Sequence, residues 1–300
     1  MSDAQLKFVN CLGQAGLHRM AYWEWACRAE LPAGQAAPVL VCVHGLSRQG
    51  RDFDALARAL SSHYRVICPD VAGRGQSDCL ANPAAYQIPS YVADMVTLLA
   101  RLDVDQVDWV GTSMGGLIGM GLAALQGGSA KTMVRRLVLN DVGPQIEFDS
   151  LRRIGTYLGQ NMVFSDVQAG TEYLKSISAG FGPHSDAQWA ALSAPMFKPE
   201  PGTGQWRLHY DPRIALPFGA VTPELAQAGS SALWQVYDAL RCPTLLLRGA
   251  ESDLLSAATA QAMAERGPRA EVQELPGVGH APTLVQPDQI ERVRAFLGAV

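Results

Sequence analysis

Val107-Asp108-Trp109-Val110-Gly111-Thr112-Ser113-Met114-Gly115-Gly116 begins as an apolar run, passes through Gly-x-Ser-x-Gly and opens into the helix-like stretch Leu117 to Gln126. The order predicts a strand, a tight turn carrying a serine, and a helix. A serine held in such an elbow sits in strained backbone, and a side chain at either flanking glycine would collide with the adjoining strand or helix. Gly111 and Gly115 meet that demand, and no second Gly-x-Ser-x-Gly occurs in the chain. The free amides and positive dipole end of the following helix would face negative charge developing beside the serine oxygen. Ser113 is therefore the candidate nucleophile.

Outward from the elbow, the chain alternates strand and helix. Pro38 to Val43 is an unalternating apolar run, as expected of a parallel strand covered on both faces. It ends in His44-Gly45-Leu46-Ser47. A helix over Asp52 to Leu60, a strand over Arg65 to Cys68, a polar turn over Asp70 to Ser77 and a helix over Ser90 to Arg101 lead into the elbow, and a strand over Arg136 to Asn140 follows it. Two earlier strands, Leu6 to Leu12 and Met20 to Ala26, flank a Gly-rich turn and read as a hairpin. The rhythm resumes with a strand at Pro243 to Arg248, a helix over Ser256 to Arg266, a strand over Glu271 to Leu275 and a helix over Gln286 to Leu297. Such alternation predicts an α/β fold with a doubly wound, mostly parallel sheet. Between Gly143 and Ala239 the rhythm breaks for longer than a structureless loop in a compact domain allows. Residues 1–142 and 240–300 are thus expected to form one core, with 143–239 an inserted helical lid. Helices are expected in it near Leu151 to Leu158, Gln168 to Ser178 and Asp186 to Leu192, with a Pro/Gly-rich link over Pro195 to Gly204.

Composition bounds the partners. A net charge of −4 with scattered basic residues provides no footprint for nucleic acid, and no apolar run approaches the length of a membrane span. The N-terminus lacks the pattern of a secretory leader, so a soluble, cytoplasmic protein is expected. The six cysteines have no Cys-x-x-Cys spacing, which suggests neither a metal knuckle nor a redox pair. The expected ligand is a small-molecule ester. The one macromolecular partner left open is a second copy of the chain.

A serine hydroxyl needs a base to become nucleophilic and an acid to orient that base. His280, in Gly277-Val278-Gly279-His280-Ala281-Pro282, follows the last strand and is the expected base. His18, His63, His184 and His209 lack such a placement, and His44 reads as a brace for its loop. Asp253 and Asp141 both follow strands. Asp253 is the expected acid, because it yields the order Ser, Asp, His with a helix and a strand between acid and base. Asp141 is the alternative, otherwise a carboxylate that secures a loop beside the elbow. The oxyanion is expected to meet the backbone amides of Met114 and Leu46. The Asp70 to Ser77 turn reads as structural.

His44-Gly45, the Asp70 to Ser77 turn, Gly-Thr-Ser113-Met-Gly, Gly249 to Asp253 and Gly-His280, in that order, resemble the landmarks of the α/β-hydrolase superfamily, in its serine-nucleophile, carboxylesterase-like members with a helical lid. The resemblance spans the core on both sides of the insertion. It implies acyl transfer through an acyl-enzyme, with no metal or organic cofactor. The family also holds carbon-carbon bond hydrolases and enol-lactonases using the same residues, which stand as the alternative reaction. A non-catalytic ligand receptor is the alternative from another class. Ser113 in place of Asp disfavours dehalogenase and epoxide hydrolase chemistry. Leu208-His209-Tyr210-Asp211-Pro212 also resembles a recurring subgroup feature, without assigned chemistry.

Overall fold

Apolar runs without alternation need cover on both faces, and the fold supplies it. The structure, a computed structural model, describes residues 4–32, 34–125, 132–219 and 221–299. A hairpin comes first, β1 (Gln5–Gly13) and β2 (Gly16–Trp25). Strand β3 (Val39–Val43), helix α1 (Asp54–Leu60), strand β4 (Arg65–Pro69), helix α2 (Ile88–Leu102), strand β5 (Val107–Thr112), helix α3 (Met114–Ala124) and strand β6 (Val134–Asn140) follow in turn. The expected continuation of α3 to Gln126 lies outside the described residues. Next come α4 (Phe148–Tyr157), β7 (Val163–Phe164), α5 (Val167–Ile177), α6 (Asp186–Ser193), β8 (Phe197–Pro199), β9 (Trp206–Leu208), α7 (Leu216–Gly219) and α8 (Pro223–Ala239). The chain closes with β10 (Thr244–Gly249), α9 (Ala257–Glu265), β11 (Glu271–Leu275) and α10 (Pro287–Leu297).

Eight strands form the main sheet in the order β1-β2-β4-β3-β5-β6-β10-β11. Every pairing from β4 to β11 is parallel, and β2 joins β4 antiparallel. Successive strand residues face opposite sides, so Val39, Val41 and Val43 enter one apolar cluster with Trp109, α2 and α3, while Leu40 and Cys42 enter a second with α1 and α10. After β3 the chain winds one way to β4 and then returns across β3 to β5. That reversal opens the crevice at the carboxyl ends of β3 and β5, where open α/β sheets bind ligands. Asp108, buried within β5, is held by Tyr64 Oη at 2.7 Å and Arg135 Nε at 2.9 Å, so a charge in an otherwise apolar strand is not left unpaired.

Two features between β6 and β10 were not foreseen in the sequence. One is a small sheet in the order β7-β9-β8, whose β8 occupies part of the expected Pro/Gly link. The other is α8, 17 residues long, whose interior Gly229-Ser230-Ser231 is poor in helix formers. A Cβ at Gly229 would meet nothing within 4 Å. Gly229→Ala is therefore expected to raise unfolding free energy by roughly 0.5–1 kcal/mol, read as a higher urea midpoint at unchanged m-value.

The Leu208 to Pro212 stretch straps this region to the core. The Gly75 amide donates to His209 O at 3.0 Å, the Asp211 amide to Gly73 O at 2.7 Å, and Tyr86 Oη to Asp211 Oδ2 at 2.6 Å.

Candidate active site

Ser113 lies between β5 and α3 with φ 51° and ψ −116°, a backbone conformation costly for a residue with a Cβ. Close packing holds it there. A Cβ on Gly111 would lie 2.3 Å from the Gly115 carbonyl carbon, and one on Gly115 only 2.0 Å from Val43 O. The Ser113 amide donates to Asn140 O at 3.0 Å, tying the elbow to the end of β6.

His280 reaches the elbow from the loop after β11. Its Nε2 accepts from Ser113 Oγ at 3.1 Å, and its Nδ1 donates to Asp141 Oδ2 at 2.8 Å, which is the tautomer the two partners demand. Its loop is pinned on both sides: the Gly279 amide donates to Gly180 O at 2.7 Å, and Asn140 Nδ2 donates to Pro282 O at 2.7 Å.

The carboxylate on His280 is thus that of Asp141, and the expectation of Asp253 is corrected. Asp141 is fully buried at the end of β6, with φ 54°. Its Oδ1 accepts from the Gly249 amide at 2.9 Å, and its Oδ2 also accepts from Ser252 Oγ at 2.6 Å. Asp253 instead receives Arg153 Nε at 2.7 Å and Nη2 at 3.0 Å, with its side chain about half exposed at 49%. The physical reason is register. Pairing of β6 with β10 continues into the Asp141 amide, which donates to Leu247 O at 2.8 Å, and a left-handed turn there aims its carboxylate at the elbow. The turn after β10 sends Ser252 toward Asp141 and Asp253 toward α4. Ser252 and Asn140 went unnoticed in the sequence; the only hint was their adjacency to the two strand-end carboxylates.

The loop after β3 is rigidly anchored. His44 is fully buried, its Nε2 accepting from the Val71 amide at 3.0 Å and its Nδ1 donating to Gly45 O at 2.7 Å. Burial, reinforced by the charges of Arg74 and Arg48 against a smaller opposing effect of the Gly45 bond, pushes its pKa down to about 3, so the ring stays neutral. Arg74, itself buried, donates Nε to Leu46 O at 2.8 Å and Nη1 to Tyr91 Oη at 2.9 Å. The polar turn after β4 therefore supports the loop that carries Leu46. Asp70 in that turn accepts from the Gly50 and Gln76 amides, and burial raises its pKa to about 6. Met114 opens α3, where an amide has no acceptor within the helix. Its side chain packs under Arg74, Sδ lying 3.6 Å from Nη2.

A cavity of about 120 Å³ lies over Ser113 and His280. Leu46 and Thr112 line it from the core, and Ile154, Tyr157, Tyr173, Leu174, Phe181 and Tyr210 from the segment between β6 and β10. Two cationic side chains also line it, Arg48 and Arg153. Arg48 is committed to Asp52 at 2.7 Å and Leu192 O at 3.0 Å. Arg153 uses Nε and Nη2 on Asp253, and its side chain is 43% exposed.

A family model described as the alpha/beta hydrolase family matches residues 40–293. The chain belongs to the alpha/beta hydrolase family. The chain is 53% identical over 291 residues to a 3-hydroxybutyrate-oligomer hydrolase of Cupriavidus necator, covering 96% of each chain. The solved structure of an alpha/beta hydrolase from Novosphingobium aromaticivorans superposes with a TM-score of 0.84 at 34% identity, over 100% of both chains. That of a putative hydrolase from Rickettsia typhi gives 0.85 at 28% identity, over 99% of both. No helix among the described residues is long and apolar enough to cross a membrane. Chemically, the hydrogen-bonded line from Asp141 through His280 to Ser113 can draw a proton from the serine hydroxyl and hold the resulting imidazolium against a buried carboxylate.

Proposed function

We propose that the protein is a carboxylic-ester hydrolase working through an acyl-enzyme on short oligoesters of a 3-hydroxy acid. The observation that carries the reaction class is the Asp141, His280, Ser113 line opening into the cavity. The substrate class rests on the 53% identity to the 3-hydroxybutyrate-oligomer hydrolase of Cupriavidus necator.

Ser113 Oγ attacks the ester carbonyl as His280 Nε2 takes its proton, and Asp141 orients the ring and stabilises its positive charge. The Met114 and Leu46 amides receive the oxyanion, each donor of this kind contributing about 10²–10³ in rate. His280 then protonates the leaving hydroxyl, and water, activated by the same ring, releases the acyl group. No step calls for a metal or an organic cofactor. Residues 143–239 act as the lid that closes the pocket and supplies most of its apolar wall.

Such an oligoester carries one free carboxylate, which a mainly apolar pocket must pair with a cation. Arg153 suits that task, since it lines the cavity, Asp253 engages only its Nε and Nη2, and its side chain is 43% exposed. Arg153→Met is expected to raise KM for the 3-hydroxybutyrate dimer about tenfold, a loss of ~1.4 kcal/mol, with little change for its methyl ester. Equal losses on both esters would remove the arginine from substrate recognition.

The reaction class is tested by a fluorophosphonate probe, which should add its mass to Ser113 and abolish hydrolysis of the dimer and trimer. Folded protein with Ser113 unlabelled would reject the reading. A panel that adds an enol-lactone and a vinylogous diketone tests the substrate class, and faster turnover of either would move the assignment to lactone or carbon-carbon cleavage.

A further inference from the structure

Cys11 and His18 are direct cross-strand partners in the β1–β2 hairpin, so their side chains emerge side by side on one face of the sheet. Helix α2 packs on that face and sets Asp94 against them. His18 Nε2 and Asp94 Oδ2 are 2.9 Å apart, and one ligand atom from each of Cys11, His18 and Asp94 lies within 4.8 Å of the other two. Their side chains are 0%, 9% and 4% exposed, and the same hairpin and helix contribute Val9, Met20, Tyr91 and Met95 to the apolar core. A carboxylate, an imidazole and a thiol are an expensive set to gather in such a place unless something compensates them. Nothing in the proposed hydrolytic reaction uses them.

We propose that Cys11 Sγ, His18 Nε2 and an Asp94 carboxylate oxygen form a binding site for one zinc ion. Thiolate, imidazole and carboxylate are the ligand types zinc takes, at bond lengths of about 2.0–2.3 Å that put tetrahedral ligand atoms about 3.3–3.6 Å apart. To reach that spacing, His18 Nε2 and Asp94 Oδ2 part from 2.9 Å, and the set adjusts from ligand atoms now within 4.8 Å of one another. On binding, the Cys11 thiol releases its proton to solvent, His18 contributes the Nε2 lone pair as the neutral ring, and Asp94 binds as the carboxylate. Two negative charges then balance the divalent ion, leaving the buried centre neutral overall.

His18 and Asp94 also line a second cavity of about 600 Å³, together with Leu17, Cys79, Asn82 and Ser90. It shares no lining residue with the cavity over Ser113. That cavity gives the ion a route in and leaves the fourth coordination position to water. The bound ion would clamp the edge hairpin to α2, a stabilising role remote from the elbow.

The test uses the full chain, stripped of metal and titrated with Co²⁺ and then Zn²⁺. One equivalent of Co²⁺ should produce a near-ultraviolet sulfur-to-cobalt charge-transfer band, which Zn²⁺ displaces. Cys11→Ser should lose the band, Cys79→Ser should keep it, and Asp94→Asn should weaken binding at least about tenfold. Zinc-edge X-ray absorption on the loaded wild type needs no variant and should find one sulfur at about 2.3 Å with nitrogen and oxygen neighbours at about 2.0 Å. Zinc should raise the Tm of the wild type and not that of Asp94→Asn. A wild type without the band, a band that survives in Cys11→Ser or vanishes in Cys79→Ser, or an absorption edge without sulfur overturns the site. In that event the cluster is a buried His–Asp pair that secures the hairpin. Hydrolysis of esters by Ser113 is unaffected by either outcome.

Discussion

Asp141→Asn is expected to lower kcat by ~10⁴, while Asp253→Asn leaves it within about threefold. The asymmetry follows from what each carboxylate touches. Asp141 is fully buried and receives His280 Nδ1, the Gly249 amide and Ser252 Oγ, so it selects the ring tautomer that leaves Nε2 free to accept from Ser113. An amide side chain there can present its NH₂ to His280, reversing the tautomer and placing a hydrogen where the serine proton must go. Asp253 holds Arg153 at the surface in a pair about half exposed, and such pairs contribute about 0–1 kcal/mol. The assay is turnover of a neutral p-nitrophenyl ester, which keeps Arg153 out of the comparison. Matching Tm values would show that Asp141→Asn remains folded. A large loss at Asp253 with a small one at Asp141 would restore the order expected from the sequence and reject the relay proposed above.

Gly115→Ala is expected to destabilise the fold by about 3 kcal/mol or more and to lower the activity of whatever folds by ~10². The added carbon would lie 2.0 Å from Val43 O, 2.5 Å from Val43 C and 3.0 Å from His44 O, all backbone atoms that cannot rotate away. Either α3 lifts from β3 or β3 shifts within the sheet. Both movements separate Ser113 Oγ from His280 Nε2 and both displace the loop bearing Leu46. The same one-carbon change at Gly229, with open space around it, is expected to have the opposite sign. Urea denaturation of the two variants beside wild type measures both. A Gly115→Ala protein within 1 kcal/mol of wild type would mean that the elbow is packed less tightly than its geometry requires.

The core elements were legible because each rests on a local signal. The run Val39 to Val43 could only be a doubly covered strand, and Gly111 and Gly115 bracket a serine whose backbone no ordinary turn would tolerate. Helix α2 was recognisable from its spacing of apolar residues, and begins two residues before the expected Ser90 because Pro89 fits the first helical turn. Helix α8 lacked such a signal. Of its side chains, only those of Ser230 and Tyr237 are buried, so there was little apolar stripe to read. The small sheet was hidden for a related reason: strands of two or three residues are too short to show a period.

At the site, the sequence alone placed the elbow serine and the loop that brings His280 to it, since both depend on short-range geometry next to a strand end. It left two acids in contention, Asp141 and Asp253. Both follow a strand of the same parallel sheet, and nothing local tells which one faces the elbow. Tertiary structure decided between them. Adjacency of β6 to β5, the register of β6 on β10 and the positive φ at Asp141 together aim one carboxylate at His280. The reversed turn after β10 gives the other to an arginine on α4. Direction of a side chain at a strand end depends on which strands become neighbours, and that pairing joins residues more than a hundred positions apart.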